Sequence, residues 1–180
     1  MKAHVKILLV FLIVILFLLA TICGVFFLSF KTNYKNVVTE NSKNYGVDMA
    51  LIYAVIKAES KFNTNAKSKV GALGLMQVKL STANYMLSQN DGDGITEEDL
   101  FDPVTNIKVG TMYLSYLMQK FSDLDVVICA YNAGETAVNG WLKNSDYSEN
   151  GITLKHVPFP ETDTYLRRVK FNLQVYSRIL

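Results

Sequence analysis

The sequence predicts a mainly α-helical domain behind one N-terminal transmembrane helix, on three observations. Residues 7–30 form an apolar run of 24 residues without a charge. That is enough to cross about 30 Å of hydrocarbon at roughly 1.5 Å per residue. From Tyr45 onward every clear apolar period has the three-to-four residue spacing of a helix face. Convincing two-residue alternation is missing: only 151–157 (GITLKHV) offers a strand, and it reads as easily as irregular chain. At 180 residues, the chain holds one domain's worth of sequence besides that first segment.

Lys2, His4 and Lys6 precede the apolar run, and Lys31 and Lys35 follow it. The charge bias is slight, so the positive-inside rule sets orientation only weakly. A cleaved secretory signal has an apolar region of about 7–15 residues before small residues. Here the run continues well past Ala20. A lipoprotein would use Cys23, but Ile22 before it is too bulky. The expectation is an uncleaved signal anchor, with residues 1–30 as cytoplasmic tip and span. Residues 31–44 (KTNYKNVVTENSKN) are polar and weakly periodic and read as a juxtamembrane linker, leaving 45–180 as the folded domain.

Asp48 is placed to cap a first helix that ends near Ser60. A second helix is expected over 75–87, with Ser81 or Thr82 near its start. The stretch 90–100 (NDGDGITEEDL) invites a calcium-loop reading, but its register fails. With Gly94 at the sixth position, Leu100 falls at the twelfth, where a bidentate Glu is required. With Gly92 there, Leu87 and Gln89 occupy the first and third positions. A polar turn is the remaining reading. Asp102 and Pro103 then form a cap followed by proline at the first helical position. Ile107, Thr111, Leu114, Leu117 or Met118, and Phe121 share one face of that helix. Leu124, Val127, Ile128 and Tyr131 repeat the pattern up to Gly134, a natural stop. A short piece containing Trp141 follows. The last helix carries Leu166, Val169, Leu173, Tyr176 and Leu180, with Glu161 and Asp163 at its positive end.

Two of the 18 Lys and Arg precede the apolar run, leaving 16 against 16 Asp and Glu. No basic stripe points to nucleic acid. Cys23 and Cys129 both lie in apolar segments and make no disulfide framework. His4 and His156 are too few and too far apart for a metal site. Nothing in the composition calls for a cofactor.

One polar side chain interrupts the apolar pattern where chemistry is expected. Counting back from Glu59, positions three, four, seven and eight residues earlier are Ile56, Val55, Ile52 and Leu51. Glu59 therefore lies in line with the buried stripe. Burial removes the hydration of its anion, and a helix C-terminus carries partial negative charge. Both favour the protonated form that a general acid needs. A glutamate ending a helix also has the option of bending out into water, and position alone leaves both readings open. After it come Ser68, Gly71 and Gly74 in a breaker-rich loop, then Leu75-Met76-Gln77, where Gln77 offers a donor and an acceptor.

Four blocks occur in order: Glu59-Ser60, GALGLMQ at 71–77, AYNAG at 130–134, and PFPET at 158–162 followed by YLRRV at 165–169. Together they resemble the Slt-type lytic transglycosylase domain, a lysozyme-like superfamily member related to goose-type lysozyme, over roughly 47–169. The resemblance implies a lysozyme-like helical fold and a peptidoglycan substrate. It makes Glu59 the catalytic acid and then base, with closure of a 1,6-anhydro ring on the muramoyl unit. Most glycosidases need two carboxyl groups. Glu97, Glu98, Asp99, Asp102, Glu135 and Glu161 all lie off the apolar faces, so no second catalytic carboxylate is expected, and Glu161 reads as structural. Carried over by position, Ser68 would orient the Glu59 carboxyl. Gln77 and the backbone around Met76 would line the sugar sites. Tyr131 and Asn132 would flank the centre, and Tyr165 would hydrogen-bond toward Glu59 or the substrate acetamido group. Met76 and Tyr131 could equally be core, Ser68 a turn residue, and Tyr165 a packing residue. The chain departs from the family at Thr64 and Leu80, where proline is frequent. Those changes affect loop stiffness rather than the reaction.

The implied protein is a single-pass membrane enzyme with its domain on the cell-wall face, touching glycan strands, the membrane and candidate proteins of an envelope complex. The alternatives are a goose-type lysozyme-like hydrolase and a non-catalytic peptidoglycan-binding scaffold.

Overall fold

The computed structural model describes residues 2–90 and 92–180, without the side chains of residues 2–7, 10, 22, 23, 27 and 28. The side chains of Lys2, His4, Lys6, Ile22 and Cys23, and Asp91 within the 90–100 turn, therefore lie outside the described ones. The chain divides into two units, Met1–Thr32 and Asn33–Leu180.

The first unit contains one helix, α1 (Lys2–Leu28). Its described side chains between Leu8 and Phe26 are exposed. Among the described residues no helix is long and apolar enough to cross a membrane; the longest unbroken run of described side chains in α1 is 11–21.

The second unit is built around α3 (Met49–Glu59), which follows α2 (Lys35–Tyr45). Asp48 caps α3, its Oδ1 accepting from Ala50 N at 2.7 Å. From Ala50 to Ala58 every residue except Lys57 is buried. A helix that is apolar nearly all round has to be a core helix. Its long partner is α8 (Pro160–Ile179). Tyr53 and Tyr176 stack across them at 5.3 Å, and Asn172 Nδ2 donates to Ala54 O at 3.2 Å. Around this pair lie α4 (Leu80–Ser88), α5 (Pro103–Lys120), α6 (Leu124–Ala133) and α7 (Glu135–Leu142). A 3-10 turn at Glu98–Phe101 leads into α5, and Asp102 caps α5 by accepting from Thr105 N at 2.8 Å. The expected α5 face is buried at Ile107, Thr111, Leu114, Leu117 and Phe121, whereas Met118 is exposed.

Two expectations need correction. The expected linker 31–44 is mostly helix: Val38 and Asn41 of α2 are buried, and Ser115 Oγ donates to Tyr45 O at 2.7 Å. So polar a segment lacks an apolar stripe of its own and takes its stability from docking on α5. The second helix begins at Leu80, not 75, because a hairpin precedes it. Its strands, β1 (Ala72–Leu73) and β2 (Val78–Lys79), are antiparallel. Two residues are too few to show alternation. The strands thus fall outside 151–157, the one stretch that offered a strand from sequence; that stretch is irregular, the other reading open to it.

Candidate active site

Glu59 is the last residue of α3 and is only half-buried, at the edge of the core that encloses the rest of the helix. The chain then turns sharply: Ser60 Oγ accepts from Phe62 N at 3.1 Å, and Lys61 and Phe62 both adopt left-handed backbone (φ 53° and 68°). Non-glycine residues in that region store strain, and such strain gathers at functional sites.

The loop after this turn folds back as the β1–β2 hairpin. Ser68 N donates to Ala72 O at 2.9 Å, and Ser68 Oγ accepts from Ala72 N at 3.0 Å. Gln77, itself at φ 50°, donates from Nε2 to Ala66 O at 3.0 Å and to Gly74 O at 2.9 Å. The hairpin is pinned to the helical body by Asn106 of α5. Its Oδ1 accepts from Met76 N at 2.8 Å, and its Nδ2 donates to Leu73 O at 2.9 Å and Leu100 O at 2.7 Å. A Cβ on Gly74 would lie 2.3 Å from both Asn106 Nδ2 and Leu100 O, so only glycine leaves room for this joint.

A cleft of about 330 Å³ opens beside the hairpin, lined by Glu59, Ser68, Gln77, Tyr131 and Asn132. A second cavity of about 460 Å³ meets Glu59 from the α8 side, where Tyr165 and Arg168 form its wall. Of the seven residues singled out from sequence, five therefore share the first cleft and Tyr165 reaches Glu59 from behind. Met76 is the exception. Its side chain is fully buried, packed so closely on α5 that a Cβ on Gly110 would lie 2.6 Å from its Sδ. Its backbone is occupied as well, because Tyr131 Oη donates to Met76 O at 3.0 Å. Met76 is a core anchor of the hairpin and does not line either cavity. Ser68 shares the cleft with Glu59, but its described hydrogen bond is to Ala72 N and not to the carboxyl. Asn132 Oδ1 accepts from the buried Thr162 Oγ1 at 2.8 Å, which ties the end of α6 to α8.

Two further residues belong to this site. Arg168 stands on α8 three residues after Tyr165, the spacing of one helix face, and its Nη1 donates to Ala58 O at 3.4 Å. Glu161 lines both cavities, against the expectation that no other carboxylate would reach the cleft. It is exposed, in the first turn of α8. Among the described residues no group of His, Cys, Asp and Glu is arranged to hold a metal ion.

The electrostatics favour a proton on Glu59. Burial pushes its carboxyl up to about 7, against the opposing pull of the Tyr165 hydroxyl and the Arg168 guanidinium. The Tyr165 hydroxyl is buried and has no hydrogen bond of ordinary geometry in the described structure. It is still near enough to favour the Glu59 anion. Burial, and then the Glu59 charge, hold the Tyr131 and Tyr165 phenols well above their ordinary range, so both stay protonated donors. The site thus has an acid that is half-protonated near neutrality, and one donor, Tyr165, and one cation, Arg168, that steady its anion once the proton has left. A proton-donating role for Glu59 predicts that kcat/KM falls as pH rises through about 7. Arg168→Ala, by removing the nearby cation, is expected to move that limb upward. A pH profile in which the limb stays in place would separate Arg168 from the acid.

Three comparisons bear on this site. The Transglycosylase SLT domain model matches residues 36–152. The soluble lytic murein transglycosylase of Salmonella typhimurium is 34% identical over 145 residues, covering 78% of this chain and 22% of that protein. Membrane-bound lytic murein transglycosylase C of Shigella sonnei is 34% identical over 168 residues, covering 81% of this chain and 46% of that protein. An X-ray structure of an inactive Glu-to-Gln mutant of the lytic transglycosylase Slt from Pseudomonas aeruginosa superposes with a TM-score of 0.72 at 30% identity, covering 83% of this chain and 24% of that one. This chain spans less than half the length of each of these relatives. The family match runs through the helix that ends in Glu59, the pinned hairpin and the α6 tyrosine, and on these grounds the chain belongs to the Transglycosylase SLT domain family.

Proposed function

We propose that this protein is a peptidoglycan lytic transglycosylase in which Glu59 acts first as acid and then as base. The observation that carries this reading is the Glu59 carboxyl, which lines a cleft and is lifted to about 7 by burial. It protonates the oxygen linking N-acetylmuramic acid to N-acetylglucosamine as the bond from that oxygen to the muramoyl C1 breaks. The 2-acetamido group shares the developing positive charge. The carboxylate then takes the proton of the muramoyl C6 hydroxyl while its oxygen bonds to C1, closing the 1,6-anhydro ring. Glu59 regains its proton, and no water is consumed. In this cycle Tyr165 and Arg168 stabilise the anion between the two transfers, Gln77 and Asn132 flank the sugar, and Ser68 shapes the hairpin wall.

The reading is supported by relatives named as lytic murein transglycosylases and by the inactivity of a Glu-to-Gln mutant in one of them. Membrane anchoring through α1 is part of the proposal. Its support is the uncharged run 7–30 and the membrane-bound name of the Shigella relative. The domain would then face the cell wall.

The placement of Glu161 favours one competitor, a hydrolase using a second carboxylate to direct water. Products separate the two. The full-length chain in detergent, mixed with intact sacculi, is expected to release fragments ending in 1,6-anhydro-muramic acid by mass spectrometry. Reducible ends alone would establish hydrolysis, and sacculus binding with no new ends would establish a scaffold. In fractionated cells the activity is expected in the membrane pellet, released by detergent and not by salt.

A further inference from the structure

We propose that Tyr113, Tyr116 and Tyr85 form a sugar-binding shelf that extends the cleft and takes pyranose units remote from the scissile linkage. The proposal rests on the glycan-cleaving reading above and adds a site to it.

The shelf begins inside the cleft. Thr82 of α4 and Tyr113 of α5 both line the cavity that holds Glu59. Tyr85 and Tyr116 follow them by three residues on the same two helices, which places each beside its cleft neighbour on one helix face. The rings run on from one another. Tyr131 and Tyr113 are 5.3 Å apart, Tyr113 and Tyr116 are stacked at 6.2 Å, and Tyr116 meets Tyr85 edge-on at 5.9 Å. At the outer end Lys120 Nζ sits 4.4 Å from the Tyr116 ring centre and 2.9 Å from Glu135 Oε2.

Helix packing alone accounts for the inner part of this row but not for its end. Tyr85 touches Tyr116 with one edge and is still 48% exposed, so about half of the residue is open to water at the end of the series. A tyrosine has an apolar face and a polar tip, the combination used where one side of a contact is dry and the other wet. A pyranose matches it, with an axial C–H face for the ring and equatorial hydroxyls around the edge. The partly exposed Lys120–Glu135 pair supplies a donor and an acceptor for those hydroxyls. Continuity with the cleft identifies the occupant as further sugars of the same strand.

Calorimetry on the full-length Glu59→Gln chain in detergent, with chitobiose and chitohexaose as probes, tests this. The six-sugar probe is expected to bind more tightly than the two-sugar probe. Tyr85→Ala is expected to weaken chitohexaose about fivefold, the scale of one aromatic contact, and to leave chitobiose unchanged. Tyr85→Phe keeps the ring and is expected to restore the difference. In the active chain Tyr85→Ala is expected to raise KM for sacculi with kcat held, the signature of lost uniform binding. Chitohexaose binding that survives Tyr85→Ala, or an equal loss for both probes, overturns the shelf. Because binding is read on the inactive chain, the two proposals fail separately. Active wild-type protein with no Tyr85 effect overturns the shelf alone. Wild-type protein that makes no new ends while the Tyr85 effect persists overturns the lytic reading alone.

Discussion

Glu59→Gln is expected to reduce the release of anhydro-ended fragments by about 10²–10⁴-fold, the usual worth of a positioned general acid. Glutamine keeps the shape of the side chain and loses the proton. Because the same carboxyl serves in both halves of the proposed cycle, no other step bypasses it. The variant also carries its own control for folding. In the wild type the folded-state Glu59 carboxyl titrates near 7, above its ordinary 4.5. Between those values the folded chain binds more protons than the unfolded one, so this group makes stability fall as pH rises from about 4.5 to about 7. Glutamine has no charge to bury. The variant is therefore expected to melt no lower than the wild type at pH 8, and relatively higher there than at pH 5. Full activity in Glu59→Gln would remove Glu59 from the chemistry. Lost activity with a collapsed melting temperature at pH 8 would contradict the buried, proton-holding environment argued for it.

The second large effect is on the fold. Asn106→Ala is expected to lower stability by roughly 3 kcal/mol or more. It leaves Met76 N, Leu73 O and Leu100 O without the partner that now joins them, and a buried group left unsatisfied costs about 1–3 kcal/mol. For a domain of this size that corresponds to a fall in Tm of about 10 °C. Asn106→Asp offers a finer test. The aspartate retains an acceptor for Met76 N but sets carboxylate oxygen against two carbonyls, so it is expected to be no better than alanine. Activity should drop further than the melting curve alone explains, even where the chain is still folded. Releasing Met76 frees the carbonyl on which Tyr131 is hung, and Tyr131 lines the cleft. A variant that melts within a degree of wild type would show that the hairpin is held in another way.

Glu59 could be located from sequence because helical spacing is local: four apolar positions behind it sufficed to put it on the buried stripe, and α3 has that stripe. Asp48, Asp102 and Gly134 were legible for the same reason, since a cap acts within one turn of the residue it serves. The β1–β2 hairpin left no such trace. Its strands are two residues long, and its position depends on Asn106, which lies about thirty residues further along the chain. Met76 shows the limit most clearly. Beside Gln77 it reads as a cleft residue, yet the left-handed turn at Gln77 sends one side chain to the cleft and leaves the other in the core.

The sequence by itself determined the helical class, most helix ends and the place of Glu59 in line with the apolar stripe of α3, since each depends on neighbours within a few residues. Only the tertiary structure decided that Lys35–Tyr45 docks as a helix, that Glu161 and Arg168 reach the site, and that Met76 does not. Those outcomes depend on which distant backbone groups and side chains meet once α3, α5 and α8 pack together, and spacing along a single element carries no information about that.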